Sequence, residues 1–264
     1  MSQPTSEDFR LAYQDSCSGP TLLLIHGFPL NSNLWEAQID DLGDTARLLA
    51  PDLRGHGLSE AGDEPYSMTM MADDCMGLLD ALGVQEPVVL CGHSMGGYVA
   101  FEFYRRFPRW VSALVLVSTR AGADSAEARA NRDAMARLVR EEGPEAIADE
   151  MVPSLLAPEN SNDDELVDFV TDMIESTSTE GIVGALEAMK ARPDSTPLLS
   201  QISVPTLIVH GENDQIVDLQ EAVAMRDAIP DADLVIIADA GHLPNLEQPV
   251  AFNEALWDFL DRLP

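Results

Sequence analysis

The chain predicts an α/β fold: a mostly parallel central sheet, helices on both faces, and one helical insert. Three observations carry this. Short runs rich in Val, Leu and Ile alternate with longer segments of helical periodicity, the rhythm of strands joined by crossover helices. The runs are apolar throughout rather than alternating, which suits strands covered on both faces. The rhythm lapses once, between about residues 122 and 196, where helical patterns follow one another without a strand.

In chain order, FRLAYQ (9–14) reads as the only strand before residue 20. TLLLIH (21–26), ARLLA (46–50), PVVLCG (87–92), VSALVLVS (111–118), PTLIVHG (205–211) and DLVIIAD (233–239) follow, each bounded by Gly, Pro or polar residues. Helices are expected over 33–42, 68–82, 95–107, 219–229 and 249–262; in the last, Phe252, Leu256, Phe259 and Leu260 form one stripe. The lapse holds helical patterns at 125–142, 144–156, 163–176 and 179–191. Asp124 and Glu127 have the spacing of a capping box opening the first, and Gly143-Pro144 separates it from the second. The expected organisation is a core of residues 1–121 and 197–264 with an insert of 122–196 lying over the sheet.

Charge narrows the function classes. Forty-six acids face fifteen bases for a net charge of −31, and Lys190 is the only lysine. Such a surface repels phosphate backbones and anionic lipid, which argues against nucleic-acid and membrane partners. It reads either as a solubility device or as adaptation to high salt, where ions screen the self-repulsion and melting should rise with potassium chloride. No run approaches the roughly 18 apolar residues of a membrane span. MSQPTSEDFR lacks the basic start and apolar stretch of a secretory signal. Cys17, Cys75 and Cys91 are odd in number and lack metal-ligand spacing, which points to reduced thiols in the cytoplasm, Cys91 reading as a small buried hydrophobe.

Chemistry concentrates in four loops. Gly92-His93-Ser94-Met95-Gly96 matches G-x-S-x-G between an expected strand and an expected helix. A sharp turn there lifts the hydroxyl clear of the sheet onto the first turn of a helix, and side chains two residues to either side would collide, hence the glycines. A serine hydroxyl needs a base, and the base an orienting acid. Of five histidines, His242, in DAGHLPNLEQP after the last strand, has the loop position and chain order of the base. His93 should point away from Ser94, His210 reads as a strand-end histidine, and His26 as a loop brace. Asp214 in HGENDQIV is the favoured acid, at the carboxyl edge of its strand; Asp124 is the alternative, and Asp239 reads as a loop-capping acid. In HGFPLN (26–31), the Phe28 amide is the natural partner of the Met95 amide in stabilising an oxyanion, because Pro29 has no N–H to give. Leu30, Met151, Leu155, Ile182, Leu186 and Leu243 are candidate pocket residues, and Met135, Leu138, Leu156 and Met189 recur at helical spacing beside them. The insert's members read either as packing onto the sheet or as an adaptable apolar pocket.

Together HGFP, DLRGHGLS, GHSMGG, GENDQIV and AGHLPNLEQP, in that order, resemble the α/β-hydrolase superfamily over about residues 20 to 263. The resemblance implies a triad of Ser94, Asp214 and His242, oxyanion donors Phe28 and Met95, and a cap formed by residues 122–196. It also makes the usual leading hairpin look shortened. A serine at the nucleophile position disfavours the dehalogenases and epoxide hydrolases of this fold, which use aspartate. Among its esterase, lactonase and perhydrolase groups, hydrolysis of a small-molecule carboxylic ester without metal or organic cofactor is the expected activity. An iminopeptidase-like amide hydrolase and a slow-turnover ligand receptor are the alternatives.

Overall fold

The computed structural model of the chain describes residues 2–6, 9–16, 19–62 and 65–263; Cys17 lies outside them. Strands β1 (Ser2–Ser6), β2 (Phe9–Asp15) and β3 (Thr21–Ile25) lead to helix α1 (Glu36–Leu42). Then come β4 (Arg47–Pro51), α2 (Met68–Ala81), β5 (Val88–His93), α3 (Met95–Arg106) and β6 (Val111–Val117). Helices α4 (Ala126–Glu142), α5 (Pro144–Leu155), α6 (Asp164–Glu175), α7 (Thr179–Ala191) and the short α8 (Thr196–Leu199) follow without an intervening strand. The core resumes with β7 (Thr206–Gly211), α9 (Leu219–Ala228), β8 (Ala232–Ile237), the single turn α10 (Pro244–Glu247) and α11 (Pro249–Leu260).

Among the described residues the strands form one eight-stranded sheet in the order β1-β2-β4-β3-β5-β6-β7-β8. The β1–β2 and β2–β4 pairs are antiparallel, and every pair from β4 to β8 is parallel. Central strands β5 and β7 are buried at every position, as continuous apolar runs require. The order reverses around β3, which pairs with both β4 and β5. A crevice opens at the carboxyl ends of strands at such a point, and the loops after β3 and β5 meet there.

Three expectations are corrected. A strand does precede FRLAYQ: β1 (SQPTS) pairs with β2, and its composition carries neither alternation nor a run of apolar residues. Strand β8 is apolar but lies at the sheet edge, so Ile236 is 46% exposed rather than covered on both faces. The cap of α4 is Ser125, whose side chain accepts from the Ala128 amide, and not Asp124. The same device opens other helices, with Ser67 before α2, Asp163 before α6, Ser178 before α7 and Asp218 before α9.

The helical insert is hydrogen-bonded to the core at several loops. Thr177 Oγ1 donates to the Pro29 carbonyl at 2.8 Å, and Asn31 Nδ2 donates to Ser176 Oγ at 3.0 Å. Ser178 Oγ donates to the Gly55 carbonyl at 3.1 Å, and the His242 amide donates to the Leu155 carbonyl at 2.8 Å. Burial pushes the thiols of Cys75 and Cys91 well above the usual range, so both remain protonated inside the core. Among the described residues no helix is long and apolar enough to cross a membrane.

Candidate active site

Ser94 sits at the apex of the turn from β5 into α3, with φ 50° and ψ −110°. That is a costly conformation for a residue with a side chain, and it persists only where the surroundings enforce it. A Cβ on Gly92 would collide with the Gly96 carbonyl, and one on Gly96 with the carbonyl of Ile25 at the end of β3. The Ser94 amide donates to the Val117 carbonyl at 2.8 Å, and Thr119 Oγ1 donates to the Ser94 carbonyl at 2.7 Å. The elbow is thus hydrogen-bonded to the end of β6 and packed closely against the end of β3.

His242 arrives from the loop after β8. Its Nε2 accepts from Ser94 Oγ at 2.9 Å, and its Nδ1 donates to Asp214 Oδ1 and Oδ2 at 3.0 and 2.9 Å. Asp214 arrives from the loop after β7 and also accepts from the Ile216 and Val217 amides at 2.8 and 3.0 Å. Burial alone would raise its carboxyl, but the charge and hydrogen bond of His242 and the two amides outweigh it and hold the group at about 2. The two loops can approach because Gly211, ending β7, has no side chain to strike the Gly241 carbonyl. The three side chains come together in space although 148 residues separate Ser94 from His242.

The other histidines brace. His93 Nε2 donates to the His242 carbonyl at 2.7 Å, so its ring turns away from the serine hydroxyl and onto the histidine loop. His26 Nδ1 donates to the Gly27 carbonyl at 2.8 Å, while its Nε2 accepts from the Leu53 amide at 2.9 Å. His210 Nε2 donates to the Val217 carbonyl at 3.0 Å. For Asp239 it is the main-chain carbonyl that accepts, from Asn160 and Gln248. Asp124 is engaged elsewhere, accepting from Arg120, Arg132 and Arg192.

A cavity of about 490 Å³ opens onto Ser94 and His242. Phe28 lines it, and Met95 occupies the first position of α3, where a helix leaves its amide without an intrahelical partner. Of the six candidate pocket residues only Met151 lines the cavity, joined by Met135 and Met189. Leu30, Leu155, Ile182, Leu186 and Leu243 are instead buried in the continuous hydrophobic core. Helical spacing reveals which face of an insert helix is buried; it does not reveal whether that face meets the sheet or the cavity. Among the described residues no group of three or more His, Cys, Asp or Glu side chains is placed to hold a metal ion.

Two features escape the sequence patterns. Arg120 and Arg132 line the cavity, and Arg120's place just past the carboxyl end of β6 was the available signal. Glu247 clamps the histidine loop. Its Oε1 accepts from the Gly241 and Leu243 amides, on either side of His242, at 2.8 and 3.1 Å. Its Oε2 accepts from the Ala157 amide at 2.7 Å and Asn160 Nδ2 at 2.8 Å. Truncating it strands three buried amides, so Glu247→Ala is expected to lower the unfolding free energy by about 3 kcal/mol or more. A guanidinium titration checks this; a loss below about 1 kcal/mol would mean that water satisfies those amides equally well.

The chain matches a family model described as alpha/beta hydrolase fold over residues 20–249. It is 30% identical over 255 residues to 3-oxoadipate enol-lactonase 2 of Acinetobacter baylyi, covering 96% of this chain and 93% of the relative. A malate-bound thermophilic esterase from Thermogutta terrifontis superposes with a TM-score of 0.94 at 43% identity, covering 97% of this chain and 94% of that one. The enol-lactonase from Burkholderia xenovorans LB400 gives 0.90 at 28% identity, covering 98% and 99%. The chain belongs to the alpha/beta hydrolase fold family.

Proposed function

We propose that the protein hydrolyses carboxylic esters, small acyl or aryl esters and lactones among them, through an acyl-enzyme on Ser94. The observation that carries this is the continuous relay from the Ser94 hydroxyl through His242 to the Asp214 carboxylate, at 2.9 Å for each step, opening onto a cavity. Its kinship with proteins described as esterase and enol-lactonase supports the same chemistry.

The carboxylate fixes the tautomer. With Nδ1 protonated toward Asp214, Nε2 carries the free lone pair that takes the serine proton. Ser94 Oγ attacks the ester carbonyl, and the Phe28 and Met95 amides receive the oxyanion, each worth about 3–4 kcal/mol of barrier. His242 returns the proton to the departing alkoxide, which leaves as the alcohol. Water then attacks the acyl group, giving its proton to Nε2; collapse releases the acid and returns that proton to Ser94. A lactone follows the same steps, with its alcohol still tethered to the acyl group.

No organic cofactor or metal enters this scheme. The strongly acidic surface fits a small-molecule substrate better than nucleic acid or anionic membrane, and the buried, reduced Cys75 and Cys91 fit the cytoplasm. The test is a fluorophosphonate label mapped by mass spectrometry, together with an ester, lactone and anilide panel. Labelling of Ser94 with multiple turnovers on esters is the expected result. No labelling, or one acyl group bound and never released, would overturn it.

A further inference from the structure

The wall of the cavity departs from the rest of the protein in charge. Arg120 and Arg132 line the space that Ser94 opens into, in a chain with fifteen bases to forty-six acids. Both converge on the buried carboxylate of Asp124, as does Arg192. Arg120 Nη2 donates to it at 2.9 Å and Arg192 Nη1 at 2.6 Å, while Arg132 donates through both Nε and Nη2. A carboxylate offers about four lone-pair sites; three of these contacts crowd onto Oδ1 and one falls on Oδ2, so the three guanidiniums compete for one group.

Arg192 is absent from the cavity lining and is held in the core instead, its Nε left without a partner. It is buried, donates to the Met189 and Gly122 carbonyls at 2.8 Å each, and stacks over the Tyr98 ring at 3.9 Å. One buried aspartate therefore neutralises one of three guanidiniums. Arg120 and Arg132 remain, their side chains 28% and 16% exposed, with donors that Asp124 cannot accept. Glu150, on the same wall, is exposed, and Glu221 and Tyr98 also act on Arg120, so the positive excess at this wall is at most one unit. Two guanidinium forks in a half-buried wall match a planar carboxylate far better than they match water.

We propose that this wall is a carboxylate subsite, and that the preferred substrates are esters or lactones carrying a free carboxylate, of the half-ester class of short dicarboxylic acids. The proposal rests on the ester-hydrolase reading and narrows it. It runs against the overall charge, because a surface of −31 repels anions at a distance. A preference for an anionic substrate must therefore come from the site itself.

The test compares kcat/KM for monomethyl succinate, glutarate and adipate with their dimethyl esters, read by titration of the acid released. The best half-ester is expected to exceed its diester at least tenfold, mainly through KM. Arg120→Gln and Arg132→Gln should each cut that ratio at least tenfold, with Arg120→Lys retaining part of it. Calorimetry with glutarate against glutaramide reads the subsite without turnover, and the wild-type ratio decides even where a variant fails to fold. Diesters hydrolysed as well as every half-ester, or glutarate binding no better than glutaramide, would overturn the subsite and leave the esterase reading standing. Loss of all ester turnover and of Ser94 labelling would overturn the esterase reading instead, and glutarate binding would then still decide the subsite.

Discussion

Ser94→Ala is expected to lower ester turnover by about 10⁴- to 10⁶-fold, with little change in fold. The hydroxyl makes one bond outside the elbow, to His242, whereas the elbow itself is held by the Ser94 main chain through Val117 and Thr119. Alanine removes the nucleophile and leaves both anchors. His242→Ala should cost nearly as much. Asp214→Asn should cost less than either, because the histidine keeps its Leu155 and His93 contacts and loses only its tautomer lock. Double variants should be no worse than the Ser94 single variant, since residues that act as a unit are not additive. Steady-state kinetics on an aryl ester checks the series. A Ser94→Ala protein within tenfold of wild type would place the chemistry on another group.

The second large expectation concerns acid stability. His26, His56 and His93 are wholly buried and neutral. Burial brings His26 down from 6.5 to about 4, and His56 and His93 down to about 3. His26 adds to burial in lowering His56, and His242 adds to it in lowering His93. The folded values lie below the unfolded value, so the unfolded chain takes up protons first as the pH falls. This stability is complete above about pH 6.5 and is lost progressively toward pH 4 and 3. Each pH unit below 6.5 costs about 1.4 kcal/mol per histidine, so at pH 5 the three together cost about 6 kcal/mol. That approaches the entire stability of an ordinary domain, about 5–15 kcal/mol. Protonation of surface carboxylates relieves self-repulsion and works in the opposite direction, but it begins near pH 4–5, below the range over which the titrations are read. Guanidinium titrations at pH 7.5, 6 and 5 should follow this slope, and His56→Gln should remove about a third of it. A loss below about 2 kcal/mol by pH 5 would show that these rings accept protons while the protein stays folded.

Much of the fold is legible because β3, β5, β6 and β7 are short apolar runs bounded by turn residues, a pattern that suits doubly covered strands although the edge strand β8 shares it. The elbow is legible because its backbone tolerates glycine alone at 92 and 96. β1 is hidden because an antiparallel partner at the sheet margin is held by main-chain pairing, which leaves SQPTS free of pattern. The cavity lining is hidden for another reason. Met151 and Leu155 lie one turn apart on α5, yet the first borders the cavity and the second is fully buried in the core. A difference of one turn is set by tertiary placement. Glu247 and the arginine wall are hidden because charged residues are common throughout the chain, and their long-range partners, Ala157 for Glu247 and Arg192 for Asp124, lie 90 and 68 residues away.

The helices over the sheet are sewn to it through Pro29, Gly55, Leu155 and Ala157, and the last two of those stitches also hold the histidine loop. Displacing those helices would break hydrogen bonds that the histidine loop shares with them, so the disturbance would be felt by both.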